Sequence, residues 1–327
     1  MATDDAQLKV GAHVLVQLGS ELVTDVEQAI LECVKNSYDA DSPGCLIDID
    51  TTEKDTRTEE GPAARLRRFA EPSESVQVRM CDSEGRPLKS NAVTADNEII
   101  QRHLDYTGRI TIEDHGEGLT PTQLRTSWLV ISQSSKRNQV GGKKQKTKGG
   151  RTPLGDKGLG RLGSMKLGDI LLIETATSAA APLATAQFRW TDCDTARTVD
   201  EIPVYLAQEK NSDKFKGTRV SVLGLRDIDE WRRPDRIYDI TRSLAKLISP
   251  FEATSIFPVN VSLDGVEQSL VTITDEVLKQ AIVLTPRRWC QVGGSNSAGD
   301  GGQKARAPGS ARIIRKPLRG ECRVIPV

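Results

Sequence analysis

The chain has 327 residues, with 45 Lys+Arg set against 45 Asp+Glu, and 37% of its residues are apolar. The zero net charge excludes a protein coated all over with positive charge for nucleic acid, though not a local basic patch. The apolar content, with 27 glycines besides, excludes a wholly disordered chain. At ~150 residues per domain the length suggests two domains. No apolar run approaches the ~20 residues of a membrane span, and the acidic start MATDDAQLKV is unlike a signal peptide. Cys33, Cys45, Cys81, Cys193, Cys290 and Cys322 form no CxxC pair and read as reduced thiols of a cytoplasmic protein, not a disulfide framework or zinc site.

Residues 13–40 read as one helix, with Thr24 and Glu27 as a capping box and Val26, Ile30 and Cys33 at helical spacing. It should stop near Asp39–Ala40, where Asp41-Ser42-Pro43-Gly44 breaks the pattern. Leu46–Ile49 is a short strand. Residues 51–75 are charged and read as an exposed loop or short surface helix. Val76–Met80 is a strand, Ala95–Leu104 a short helix, and Arg109–Glu113 alternates as a strand. Thr120-Pro121-Thr122-Gln123 is a second capping box with Pro at the first helical position. Residues 132–163 are rich in Ser, Lys and Gly and read as a mobile loop. Asp169–Ala176, Ala184–Trp190 and Thr218–Leu223 are strands, the first two an antiparallel pair. Ile237–Ser249 is a helix. Val259–Leu263 and Ser269–Ile273 form a hairpin around Asp264-Gly265, and 293–310 is a Gly/Ser-rich linker. Helices interleaved with mostly antiparallel strands predict an α+β fold.

Four segments carry chemistry. Glu32, Asn36 and Asp39 stand at i, i+4 and i+7, so a carboxylate, a carboxamide and a second carboxylate share one helical stripe that faces either water or a ligand. An amide oxygen suits Mg²⁺, and a carboxylate one turn away can take a proton from attacking water. In Ile110-Thr111-Ile112-Glu113-Asp114-His115-Gly116-Glu117-Gly118, alternation puts Asp114 on the face of Ile110 and Ile112. A buried carboxylate needs a donor, which an adenine amino group can supply; a glycine turn capped by Asp is the plainer reading. From Lys136 to Arg161 there are nine basic residues and one acid, a balance of +8. This glycine-punctuated run can cradle phosphates or touch nucleic acid, or can simply be a solvated loop. Its Gly158-x-Gly160-x-x-Gly163 is not a dinucleotide fingerprint, because no strand precedes it and no acid follows at the required distance. Lys216-Gly217-Thr218 opens the last strand, where a Thr hydroxyl can reach a buried carboxylate through water.

Together these segments resemble the GHKL ATPases, the superfamily of DNA gyrase B, MutL, MORC proteins, Hsp-type chaperones and sensor kinases. Glu32…Asn36…Asp39-Ala40 is similar to the N box, Asp114-x-Gly116-x-Gly118 to the G1 box, Gly155-x-Lys157-Gly158-x-Gly160 to the G2 box and Gly217-Thr218 to the terminal G3 element. The wording of the N and G2 boxes is most similar to the gyrase B, MutL and MORC side and to related bacterial Hsp-type ATPases. The resemblance implies a Bergerat-type two-layer α+β sandwich over 1–250, with 51–105 an insertion and 132–160 an ATP lid. The start of a transducer-like second domain would follow over 251–327.

It further implies ATP and Mg²⁺ as ligands, with Glu32 as general base and Asn36 as the Mg²⁺ ligand. Asp114 would accept from the adenine amino group, with Gly118 beside the base and Thr218 sharing a water. Lys157, counted with Glu32 as catalytic, would hold phosphates with Gly158 and Gly160. Asp39, Gly116, Ser135, Lys136, Gly155 and Leu159 complete the implied nucleotide site. Lid closure would drive homodimerisation and act on a partner, DNA or an effector protein. A protein kinase of the same fold and a nucleotide-gated scaffold with little turnover are the alternatives. A kinase needs an upstream helical hairpin carrying a phosphoacceptor His; few residues precede the N box, and His13 is the sole upstream histidine.

Overall fold

In a computed structural model, residues 9–23, 25–89, 94–131, 146–155, 160–245 and 257–269 are described. All of them lie in one compact unit, residues 1–281. The segment expected as one helix is two, α1 (His13–Leu22) and α2 (Val26–Asp39). The break falls at Val23 and Asp25, both extended, and Asp25 rather than Thr24 caps α2 by accepting from Gln28 N at 2.7 Å. Thr24 lies outside the described residues. α2 ends at Asp39 as expected, and Asp41 follows with φ +57°.

The strand expected at 46–49 is the start of a much longer one, β1 (Cys45–Pro62). Residues 51–62 are therefore strand and not loop, and α3 (Ala63–Leu66) follows. β2 (Val76–Asp82) is where expected. The helix expected at 95–104 is instead the first part of β3 (Ile99–Asp114). β1 and β3 pair antiparallel along almost their whole length, with a register shift between Asp50 and Lys54. That pairing fixes the charged stretch as strand: Thr56 Oγ1 donates to Asp105 at 2.6 Å across it. The second capping box is present as expected, but it opens only α4 (Pro121–Gln123), which passes into a π-helical turn over Leu124–Trp128. A 3₁₀ segment, Gly160–Lys166, precedes β4 (Gly168–Ala176). β5 (Leu183–Arg189) pairs antiparallel with β4 as expected. β6 (Tyr205–Glu209) was not read from the sequence; β7 (Gly217–Leu225) was. α5 (Ile228–Trp231) and α6 (Pro234–Ala245) follow; residues 246–249 of the expected helix lie outside the described residues. β8 (Val259–Leu263) and β9 (Val266–Gln268) form the expected hairpin. Asp264 and Gly265 both have positive φ, +48° and +77°, so a two-residue turn starts the return strand at 266 and not at 269.

The strands form one sheet in the order β6-β5-β4-β7-β3-β1-β8-β9, with β2 on the outer part of β3. Among the described residues β1 and β8 make the one parallel pair. Inward-facing Ile47, Ile49, Ile110, Ile112, Leu171, Ile173 and Val222 pack against Ala29, Ile30, Val34, Ile237 and Ile240 of the helices. On the other face, Leu104, Tyr106 and Val76 of the outer ribbon, formed by β2 and the far halves of β1 and β3, cover Ile170 and Leu223. The expected α+β fold, a Bergerat-type sandwich of helices on a mostly antiparallel sheet, is borne out. A fully buried ion network ties the ribbon to β5. Arg102 donates to Glu59, its cross-strand neighbour, and to Asp192 at 3.0 Å, while Gln187 donates to Glu59 at 3.1 Å.

Candidate nucleotide site

β3 carries Asp114 to the inner face at its last position, between β1 and β7. The face expected from alternation is the one observed: Ile110, Ile112 and Asp114 are 0%, 2% and 6% exposed. Cys45 stands opposite Asp114 on β1 and Thr218 opposite it on β7. Asp114 Oδ1 accepts from Gly116 N at 2.9 Å and Thr218 N at 3.3 Å. Burial pushes its carboxyl up to about 6, opposed by those two N–H donors and by the Ser37 hydroxyl of α2. Thr218 thus reaches Asp114 directly through its backbone, while its hydroxyl lies 3.2 Å from Thr175 Oγ1.

The glycines after Asp114 are demanded by the chain's own backbone. A Cβ on Gly118, where φ is +63°, would fall 2.1 Å from Ala176 O. One on Gly217, where φ is +128°, would fall 1.9 Å from Asp114 O. The turn also meets the end of α2, where Glu117 N donates to Ala40 O at 3.0 Å. His115 is a turn residue, with Nδ1 3.2 Å from Lys216 O.

On α2, Ala29, Ile30, Cys33, Val34 and Ser37 are buried, and the stripe of Glu32, Asn36 and Asp39 lies outside them. Glu32 Oε1 accepts from Gln28 Nε2 at 2.9 Å and Lys35 Nζ at 2.6 Å. The 3₁₀ segment brings Gly160 against it: a Cβ there would lie 3.0 Å from Glu32 Oε2. Asn36 is exposed, and its carboxamide makes no hydrogen bond among the described residues. Asp39 accepts from Leu154 N at 2.8 Å and Gly155 N at 3.0 Å, so it clamps the glycine-rich segment to the end of α2. Asp41 does the same for Thr147 Oγ1 and Gly149 N, at 2.6 and 2.7 Å. Among the described residues of the basic run, Lys148, Arg151 and Arg161 have partners within the protein. Arg151 donates to Tyr38 O and Ser42 O and stacks on Tyr38 and Phe257, and Lys148 pairs with Glu117 at 2.8 Å. Arg161 lies over the Trp128 ring, and burial lowers its guanidinium to about 10, still charged at neutral pH.

Glu32 is thus placed beside Gly160, Asp39 on Gly155, and Asp114 between Gly116, Thr218 and Ser37. Ser135, Lys136, Lys157, Gly158 and Leu159 lie outside the described residues. Sequence reading missed Ser37 and Thr175. Thr175, fully buried, accepts from Leu119 N at 2.8 Å and donates to Gly217 O at 2.9 Å. Alternation from Leu171 and Ile173 along β4 was the signal for it. Ser37 lies inside the N-box string and is seven residues from Ile30 on the buried face of α2.

Among the described residues no group of three or more His, Cys, Asp or Glu could hold a metal ion, and no helix is long and apolar enough to cross a membrane. No curated protein matches the chain. A solved structure described as "Crystal Structure of N terminal domain of a DNA repair protein" is similar at 15% identity and a TM-score of 0.38, over 79% of this chain. The similarity spans 55% of that protein's chain. Residues 88–218 match the family model described as "Histidine kinase-, DNA gyrase B-, and HSP90-like ATPase". This stretch holds Asp114, Gly118, Gly160 and Thr218, while α2 with Glu32 and Asn36 lies before it. The resemblance read from the four segments is therefore borne out over residues 88–218, as a match to the histidine kinase-, DNA gyrase B- and HSP90-like ATPases.

Proposed function

We propose that this chain binds ATP between α2 and the ends of β3 and β7 and hydrolyses it. The observation that carries the reading is the Asp114 carboxylate, 6% exposed and fixed through Oδ1 by two backbone N–H groups. Held there, it can accept a hydrogen bond from the adenine amino group. At the phosphate end of the proposed site, Glu32 takes a proton from water as the water oxygen bonds to the γ-phosphorus. The bond from that phosphorus to the β,γ-bridging oxygen breaks, and ADP leaves with the electron pair.

The residues present fit Mg²⁺. Asn36 offers an exposed amide oxygen that has no hydrogen bond among the described residues, and a cation that keeps waters and takes phosphate oxygens needs few protein ligands. Bound there, Mg²⁺ would neutralise charge on the phosphates. Gly160, and with it Lys157, Gly158 and Leu159, is assigned to the phosphates. Ser135, Lys136, Gly116 and Gly155 complete the proposed nucleotide site, with Asp39 holding the loop. We further propose, from the resemblance and the basic run, that closure of 132–160 drives homodimerisation in the cytoplasm and acts on DNA or an effector protein. Residues 51–105 as an insertion and 251–327 as the start of a second domain belong to the same proposal.

The test is ATP turnover followed as free phosphate and as labelled protein, in wild type and Glu32→Ala. Phosphate release that is lost in Glu32→Ala while ATP still binds supports hydrolysis. Stable labelled protein assigns a kinase instead, and binding without release in wild type assigns a scaffold.

A further inference from the structure

We propose that Lys35, with Gln28, is a positioning residue for Glu32, holding one carboxylate oxygen so that the other faces the reacting water. The proposal rests on the reading of Glu32 as general base. Gln28 stands one turn before Glu32 on α2 and Lys35 three residues after it, and both donate to the same atom, Oε1, at 2.9 and 2.6 Å. Oε2 accepts no hydrogen bond among the described residues. It lies toward Gly160, where a Cβ would stand 3.0 Å away, so the glycine keeps that approach open. The Glu32 side chain is 25% exposed, enough for water to reach it.

A carboxylate free to rotate presents either oxygen in many orientations, whereas proton abstraction needs one of them held within ~2.6–3.2 Å of the water. Two donors on Oε1 remove that freedom before the nucleotide binds. Lys35 is committed to this task. It lines a groove between α2 and α6 that also holds Asp25, Glu27 and Asp239, yet its ammonium is 2.6 Å from Glu32, and Glu27 is paired with Arg236 at 2.9 Å. An ordinary helix-surface ion pair would affect stability slightly and turnover not at all, which separates the two roles.

The experiment compares wild type with Lys35→Met, Lys35→Arg, Gln28→Leu and Glu32→Gln in the full chain. It reads kcat by phosphate release, ATP affinity by calorimetry and the melting temperature. Glu32→Gln should lose turnover and keep ATP affinity. Lys35→Met should lower kcat about tenfold, with affinity within ~2-fold and an unchanged melting temperature, Lys35→Arg should recover most of the loss, and Gln28→Leu should act in the same direction. Loss of turnover in Glu32→Gln with wild-type or higher kcat in Lys35→Met overturns the positioning role and leaves the base in place. Turnover that survives in Glu32→Gln removes the base, and this proposal with it.

Discussion

Replacing Asp114 by Asn separates what the carboxylate does to the fold from what it does to the ligand. Burial lifts this carboxyl from 3.8 to about 6. Between those values the folded chain keeps a proton that the unfolded chain has released, so stability falls as pH rises through the window and the deficit is complete above it. A lift of that size corresponds to roughly 3 kcal/mol of disfavoured charge at neutral pH. Asn keeps an Oδ1 that can accept from Gly116 N and Thr218 N, and carries no charge to desolvate. Urea denaturation at pH 7.5 should therefore show Asp114→Asn about 1–3 kcal/mol more stable than wild type, with the gain vanishing near pH 4. For the ligand the sign reverses, because the new NH₂ faces the adenine amino group as donor against donor. Losing a hydrogen bond to a charged acceptor, about 1.5–3 kcal/mol, weakens ATP at least ~10-fold in calorimetry. A variant less stable than wild type at pH 7.5 would refute the buried-charge argument. One that binds ATP as tightly would refute the adenine contact.

Asn36→Ala should leave stability within ~0.5 kcal/mol and weaken Mg·ATP far more than metal-free ATP, measured with and without chelator; equal losses remove Asn36 from the metal. Arg102→Ala strands two buried acids, Glu59 and Asp192, and should cost about 3–5 kcal/mol in chemical denaturation; a loss under ~1 kcal/mol contradicts the network's role. Gly217→Ala forces a Cβ onto the Asp114 carbonyl and should cost more than ~2 kcal/mol together with nucleotide binding. A variant that melts and binds like wild type would show that the β7 entry has room.

The central strands were legible because turn residues bound them and β-branched residues fill them. Asp114 was legible because a period of two fixes its face once Ile110 and Ile112 are core. The outer ribbon was not. Residues 51–62 are largely exposed and held by pairing with a strand about fifty residues away, so their own side chains carry no alternation to read. Ile100 and Leu104 stand four apart, a spacing that suits both a helix and a strand; in the sheet both lie fully buried on β3. The motif residues of α2 were legible as a stripe, but the clamp of Asp39 and Asp41 on residues 147–155 joins segments more than a hundred residues apart. No local periodicity reports such a contact.

The parallel seat of β8 beside β1 decides where this protein can be shortened. A chain stopped at residue 250 would lose the strand that covers Cys45–Ile49, and leave the backbone groups of alternate residues there, Cys45 N and Ile49 O among them, bare along that margin. Such a margin recruits a second molecule, so the shortened protein should clump at concentrations where one carried through residue 269 stays dispersed. Light scattering of the two lengths would tell them apart.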